Sequence, residues 1–265
     1  MIRISSLSNP TIKDLVRLKK AHFRKERGLI IVDGAREIEL AIQSGVEILS
    51  LFYCPALVRE AAGTAKKLFG IDNNKVVEVS EEVFKKICYK ENPDGFLVMA
   101  QLQELKLGDI DAGKNPLIII LEKVEKPGNL GAILRTAYAA GATAVIINDS
   151  QTDIYNPNVI RASEGYVFKE TIVNAGIKET IKWLKQNKIK SFGAATSGSK
   201  NYTAVDLSEP SAVILGSEAD GLSPDWLKSA DQLIKIPMQK GIDSLNVSVS
   251  AAVIVFEALR QRAKK

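Results

Sequence analysis

Five polar side chains between positions 129 and 246 sit where glycine-bearing turns run into apolar elements. They are Asn129 and Arg135 in "KPGNLGAILRTAYAAGAT", Glu218 in "ILGSEADGLSPDW", and Ser244 and Asn246 in "IPMQKGIDSLNVSVSAA". Arg135 lies on a segment otherwise patterned for burial: Leu130, Ile133, Leu134 and Ala137 recur at helical period, and Pro127, Gly128 and Asn129 precede them as turn and N-cap. One turn either side of the arginine are Gly131, Ala132, Tyr138 and Ala139, mostly small residues that leave room for a ligand to reach the guanidinium. Taken singly, each residue has a structural reading. Asn129 caps its helix, Glu218 is an ordinary loop acid, and Ser244 or Asn246 caps the last helix. Taken together, the three loops offer polar groups beside glycines such as Gly216 and Gly221 that admit a ligand to the backbone. That is the make-up of a preformed binding site.

Other chemistries are excluded by what the sequence lacks. His22 is the single histidine, which rules out His-rich zinc sites and argues against a Ser-His-Asp triad; no metal is called for. "GNLGAILR" does not spell G-x-G-x-x-G, and no G-x-x-x-x-G-K-[ST] occurs, so a dinucleotide enzyme or P-loop NTPase is disfavoured.

The elements that must position these residues alternate along the chain. From Pro116 the apolar runs "PLIIILE", "TAVIIND", "SFGAAT", "SAVILGS" and "QLIKIP" read as strands of a parallel sheet covered on both faces. Helices are expected at the Arg135 segment, "NPNVIRASEG", "IKETIKWLKQN" and "SVSAAVIVFEALRQRAKK". Ligands of such sheets bind beyond the carboxyl ends of the strands. Before Pro116 a smaller set alternates too: strands at "GLIIVDG", "VEILSLFYC", "KVVEVS" and "GFLVMAQLQ", and helices at "AREIELAIQSG", "PALVREAAGTAKKLFG" and "EEVFKKICY". This is an α/β or α/β/α unit. The polar stretch "LKLGDIDAGKN" reads as a linker, so the expected division is 1–105, a linker at 106–115, and 116–265.

With 265 residues, 46% hydrophobic and 25% charged, the chain can bury a sizeable core without staples. Cys54 and Cys88 make no disulfide framework and read as reduced thiols in a cytoplasmic protein. No apolar run reaches membrane-span length, and "MIRISSLSNP" has no secretory pattern. The net charge of +5 permits a nucleic-acid partner. The first segment carries most of the basic bias, with Lys13, Arg17, Lys19, Lys20, Arg24, Lys25 and Arg27 on a helically spaced stretch. It reads either as a solvated helix face or as a phosphate-contacting, RNA-binding surface.

The wording of "PGNLGAILRTAYAAGA", "ILGSEADGLS" and "IPMQKGIDSLNVSVSAAVIVFEALRQR", in that order, resembles the three motifs of the SpoU (TrmH) family of RNA ribose 2′-O-methyltransferases in the SPOUT superfamily. "RASEGYVF" fits the same family, and the N-terminal half resembles the L30e-like substrate-binding domain that precedes many members. The resemblance implies an α/β fold whose C-terminal sheet carries a deep trefoil knot, with S-adenosylmethionine as cofactor and a homodimer through the catalytic domain. Matched by position, Asn129, Arg135, Glu218, Ser244 and Asn246 fall on the family's catalytic motif residues. Thr196, Gly216, Ile236, Met238 and Leu245 fall on its cofactor-binding positions, with Leu245 and Ile236 flanking the adenine. Val253, Ile254, Val255 and Phe256 become candidates for packing the knot or the interface.

Many members carry aspartate before the "PGN" proline; here it is Lys126, a change at the rim of the site. The resemblance gives Arg135 as general base, but arginine stays protonated in proteins, and holding the neighbouring phosphate while easing alkoxide formation is the less demanding role. Glu218 would orient Arg135 or bind substrate. The expected substrate is 23S rRNA at a guanosine, with an adenosine left open, tRNA as one alternative and a non-catalytic RNA-binding or assembly protein on the same fold as another.

Overall fold

The computed structural model describes residues 2–58 and 70–263. It divides into two compact units, Met1–Gln103 with Tyr155–Lys169, and Glu104–Ile154 with Glu170–Lys265. No described helix is long and apolar enough to cross a membrane.

The first unit is built on a mixed five-stranded sheet of order β1-β4-β3-β5-β2. Its strands are β1 (Ile2–Ile4), β2 (Leu29–Asp33), β3 (Ile48–Tyr53), β4 (Val76–Val79) and β5 (Phe96–Gln101). Strand β5 runs antiparallel to β2 and β3, and β4 runs parallel to β1 and β3. Helices α1 (Pro10–Arg17), α2 (Ala21–Arg27), α3 (Ala35–Gln43) and α4 (Glu81–Ile87) accompany them. One core gathers Ile12, Leu15, Phe52, Val83, Phe84 and Leu97. Strand β1 was not expected from the sequence, and most of the expected helix 55–70 lies outside the described residues.

The basic segment is broken into two helices. Lys20 is extended (φ −97°, ψ 134°) between them, and Leu18 drops into the core. The break brings Arg24 back over the end of α1, where Nη1 donates to Leu18 O at 2.7 Å and the side chain is buried. Helix α2 stops at Gly28, whose left-handed φ of +63° suits glycine.

The second unit carries a seven-stranded sheet of order β10-β12-β9-β11-β6-β7-β8, parallel throughout. The strands are β6 (Leu117–Glu122), β7 (Ala144–Asn148), β8 (Ile172–Asn174), β9 (Lys190–Ala194), β10 (Lys200–Asn201), β11 (Ser211–Leu215) and β12 (Gln232–Lys235). The short β8 and β10 give too little pattern to read from sequence. The helices along this stretch are α5 (Pro127–Ala139), α6 (Pro157–Ala162), α7 (Ile177–Gln186), α8 (Pro224–Ser229) and α9 (Val247–Arg262), of which α6 belongs to the first unit.

Every residue of β6, β7 and β11 is buried, as the continuous apolar runs require. Ile118, Ile120, Ile146 and Ile214 pack with Leu184 of α7 and Trp226 of α8 in one core. Helices α5 and α9 pack along each other, burying Leu130, Ile133, Leu134 and Ala137 with Ala251, Ile254, Val255 and Ala258. The C-terminal end of α9 is tied down by Arg262, which donates to the carbonyls of Leu207, Asn115, Pro116 and Glu209 and to Ser211 Oγ.

Two features depart from the expected domain plan. The segment read as linker belongs to the second unit, because Leu107 and Ile110 are drawn into its core and Leu105 bridges to Val173. The helix within "NPNVIRASEG" is α6, and its chain is an excursion between β7 and β8 that joins the first unit. There Arg36 pairs with Glu164 at 3.0 Å.

Candidate functional site

Strands β12, β9, β11 and β6 are consecutive neighbours and all parallel, so their C-terminal ends open on one edge. From β6 the chain moves to β7 on one side; from β11 it moves to β12 on the other. The divergence makes the β6–β11 boundary a topological switch point, where an open sheet leaves a crevice. The registers Leu215↔Leu121 and Leu215↔Ala194 place the loops after β11, β6 and β9 side by side. A cleft of about 570 Å³ lies at this edge, within the second unit. Thr196, Gly216, Ile236, Met238 and Leu245 all line it, as do Glu218, Ser244 and Asn246. Asn129 and Arg135 are not among the lining residues.

The cleft wall depends on two loops in near contact. A Cβ on Gly216 would lie 2.1 Å from the carbonyl carbon of Gly221, so only glycine lets the chain after β11 fold back this closely. The turn that returns is closed by Ser217 N donating to Gly221 O at 3.0 Å and Gly221 N to Ser217 O at 3.1 Å. Glu122, buried at the end of β6, accepts from Ser223 N at 2.9 Å and anchors the far end of that turn. Glu218 stands at its tip.

The residues of the three sequence motifs meet in one hydrogen-bonded chain. Asn246 is the N-cap of α9, and its Oδ1 accepts from Ser248 N at 2.9 Å and Ser248 Oγ at 2.6 Å. Its Nδ2 donates to Asn129 Oδ1 at 3.2 Å. Asn129 Nδ2 in turn donates to Glu218 Oε1, and Lys126 Nζ donates to Glu218 Oε2. The carboxylate raises the Lys126 pKa above the usual lysine value, first through that hydrogen bond and then through its charge. Asn129 therefore does not cap α5. Lys126 occupies the cap position without a side-chain cap bond, and Asn129 is the third helical residue.

Glu218 is engaged on both oxygens and is no idle loop acid. Asn246 does cap its helix, and the same side chain also serves the network. Ser244 is exposed on the cleft wall. Arg135 is exposed on α5, with Tyr138 and Ala139 exposed near it, Ala132 half-buried and Gly131 buried.

Sequence reasoning treated Lys126 as a departure at the rim and missed its contact with Glu218. It also missed Glu122, although a carboxylate closing the run "LIIILE" is the kind of signal that marks a strand end turned toward a site.

In the first unit the basic set divides. Lys13, Arg17, Lys20, Lys25 and Arg27 are exposed, with Arg17 paired to Asp14 at 3.3 Å. Arg24 is buried and Lys19 half-buried, so neither belongs to an open RNA-binding surface. Arg24 braces the helix break. Lys19 Nζ donates to Lys86 O at 2.9 Å and Cys88 O at 2.7 Å, and burial lowers its pKa. Cys54 and Cys88 are free and buried, and burial pushes both thiols up.

Residues 116–256 match the model of the SpoU rRNA Methylase family, and residues 9–98 match that of the MRM3-like substrate binding domain. The chain is 29% identical over 97% of its length to a 23S rRNA (guanosine(2553)-2′-O)-methyltransferase of Bacillus subtilis, covering 98% of that protein. It is 27% identical over 90% of its length to a 23S rRNA (uridine(2479)-2′-O)-methyltransferase of Streptomyces viridochromogenes, covering 85% of that one. Among solved structures, an AdoMet-bound rRNA methyltransferase from Sinorhizobium meliloti superposes with a TM-score of 0.88 at 29% identity, with 97% of each chain covered. A crystal structure of an RNA 2′-O ribose methyltransferase superposes with a TM-score of 0.85 at 38% identity, covering 99% of this chain and 100% of that one.

Proposed function

The chain belongs to the SpoU rRNA Methylase family, and from that premise we propose that it transfers a methyl group from S-adenosylmethionine to a ribose 2′-hydroxyl of 23S rRNA. The observation that carries the reading is the hydrogen-bonded chain Asn246–Asn129–Glu218–Lys126, two of whose members, Asn246 and Glu218, line the cleft at the ends of β9, β11 and β12. Full-length likeness to the Bacillus subtilis enzyme favours a guanosine as the target. The working place is the cytoplasm.

The cleft fits the cofactor in size and in kind: it is lined by the apolar Ile236, Met238 and Leu245, with Thr196 and the close-packed backbone at Gly216. These residues would hold it. Bound there, S-adenosylmethionine supplies a methyl group already activated on a sulfonium. The protein's task is then chiefly to position the hydroxyl in line. Asn129, Ser244 and Asn246 orient the ribose and the loops around it. Arg135, exposed on α5, holds the neighbouring phosphate and stabilises the developing alkoxide as the hydroxyl proton passes to solvent, a role that needs no loss of its own proton. The exposed cations Lys13, Arg17, Lys20, Lys25 and Arg27 hold RNA phosphates without reading sequence.

Two further elements belong to this reading. The C-terminal chain threads the trefoil knot of the superfamily. A second copy of the chain covers α9, where Val249, Phe256 and Leu259 are exposed at spacings that share a helical face.

The test is a paired methylation assay with tritiated S-adenosylmethionine on protein-free 23S rRNA and on bulk tRNA, alongside Arg135→Ala. Label in rRNA that disappears with the variant is the expected result. Label in tRNA alone would overturn the substrate. An unlabelled result with free rRNA and with ribosomal particles would overturn the enzymatic reading.

A further inference from the structure

Lys126 is the one member of the hydrogen-bonded chain to which the family resemblance gives no role. Its position on Glu218 differs in kind from that of Asn129. Asn129 is oriented from the far end: Asn246 must turn Oδ1 toward Ser248 N to cap α9, so its Nδ2 faces Asn129 Oδ1, and Asn129 Nδ2 faces Glu218. That places a fixed donor on Oε1. The donor on Oε2 is a flexible ammonium whose side chain is 68% exposed, against 31% for Glu218. An exposed lysine–carboxylate pair contributes little and exchanges readily. A phosphodiester oxygen offers the ammonium an equivalent charge-assisted bond.

We propose that Lys126 is an exchangeable cation, resting on Glu218 while the site is free of RNA and passing to a backbone phosphate beside the target nucleotide when RNA enters. The inference deepens the function proposed above and rests on it. While RNA is absent, the lysine masks a carboxylate that would repel an approaching polyanion at the mouth of the cleft. Once the phosphate has taken the lysine, Oε2 is uncovered and able to accept a hydrogen bond from a ribose hydroxyl. Asn129 meanwhile keeps the carboxylate in place through Oε1. An aspartate at this position could not make the exchange, since it would meet both Glu218 and the phosphate as a like charge.

The experiment measures kcat and KM for a 23S rRNA substrate across a salt series. It compares the wild type, Lys126→Ala, Lys126→Arg, and Lys185→Ala as a control that removes an equal charge from the exposed face of α7. Calorimetry of S-adenosylmethionine binding checks the cleft in each. Lys126→Ala is expected to raise KM roughly tenfold at low salt. It should also flatten the dependence of log(kcat/KM) on log salt by about 0.7, the value of one single-strand phosphate contact. Lys126→Arg restores most of both, and Lys185→Ala changes neither. A wild-type salt slope in Lys126→Ala, or a loss confined to kcat, would make Lys126 a mere brace for Glu218 and overturn the exchange. A wild-type protein that binds cofactor but labels no RNA would instead overturn the function on which the exchange rests.

Discussion

Asn246 joins two tasks in one amide: its oxygen caps α9 through Ser248 N at 2.9 Å, and its nitrogen holds Asn129 Oδ1 at 3.2 Å. The substitutions Asn246→Asp and Asn246→Ala separate them. Aspartate keeps the cap and adds a favourable charge at the helix N-terminus, but it loses the donor to Asn129. Its thermal midpoint should equal or exceed the wild-type value while methyl transfer falls about tenfold or more. Alanine loses both, with about 1 kcal/mol of stability gone as well. Urea unfolding and initial rates on the two variants give the comparison, and equal activity in wild type and Asn246→Asp would remove Asn246 from the network.

Gly216→Ala tests the cleft wall. The added methyl meets the Gly221 carbonyl group at 2.1 Å, backbone that cannot turn aside as a side chain would. The loop must move, at about 1–3 kcal/mol, and S-adenosylmethionine affinity should fall by more than about tenfold in calorimetry. Wild-type affinity would show that the cofactor does not depend on this approach.

Arg135 can be tested for the guanidinium itself. It is exposed on α5, so Arg135→Lys should leave stability within about 0.5 kcal/mol. Turnover at saturating RNA should still fall by about 10²-fold, because a point charge does not replace a planar fork. Near-normal turnover in the lysine variant would dismiss any role specific to the guanidinium.

Stability should depend on pH through Glu170. Burial pushes its carboxyl up to about 8, and Oε1 has no hydrogen-bond partner. Its folded pKa lies above its unfolded one, so the folded state binds the extra proton, and stability falls as pH rises from the ordinary glutamate range through 8. Glu170→Gln should flatten that decline and raise the melting temperature at pH values above 8 more than at mildly acidic pH. A variant whose melting temperature tracks the wild type at every pH would refute the assignment.

The proposed dimer has a direct probe in Phe256, which is 46% exposed on α9. Phe256→Glu should give a monomer in sedimentation while the monomer keeps its fold by circular dichroism. An unchanged sedimentation coefficient would place the partner elsewhere or nowhere.

The parts of this arrangement that were legible in the sequence are those that repeat. The stripe Leu130, Ile133, Leu134 and Ala137 is buried in α5 as its 3.6-residue period requires. The strand "LIIILE" is buried on both faces. The loop residues Gly216, Glu218, Ser244, Leu245 and Asn246 line one cleft where three parallel strands, β9, β11 and β12, end on the same edge. What was not legible depends on register and on which way a side chain turns. Lys126 and Glu218 are 92 residues apart and meet only because β6 and β11 pair with Leu121 opposite Leu215. Arg24 reads as one more cation in a basic run until the chain breaks at Lys20 and folds it over Leu18 O. The excursion through α6 is invisible to a reading that assigns neighbouring stretches of chain to one domain.

The order in which the chain is made sets a constraint on how the second unit matures. Its strands β6 and β11 and the turn bearing Glu218 precede the cleft residues Ile236, Met238, Leu245 and Asn246, and α9 follows them. Arg262 then closes against carbonyls that belong to residues 115–116 and 207–209, laid down much earlier. A ligand of the cleft stabilises only the state that can bind it. During synthesis it can therefore give no help to the growing sheet. The strands of the second unit must pack on their own until α9 has been made, and only then does this unit become responsive to a ligand of the cleft.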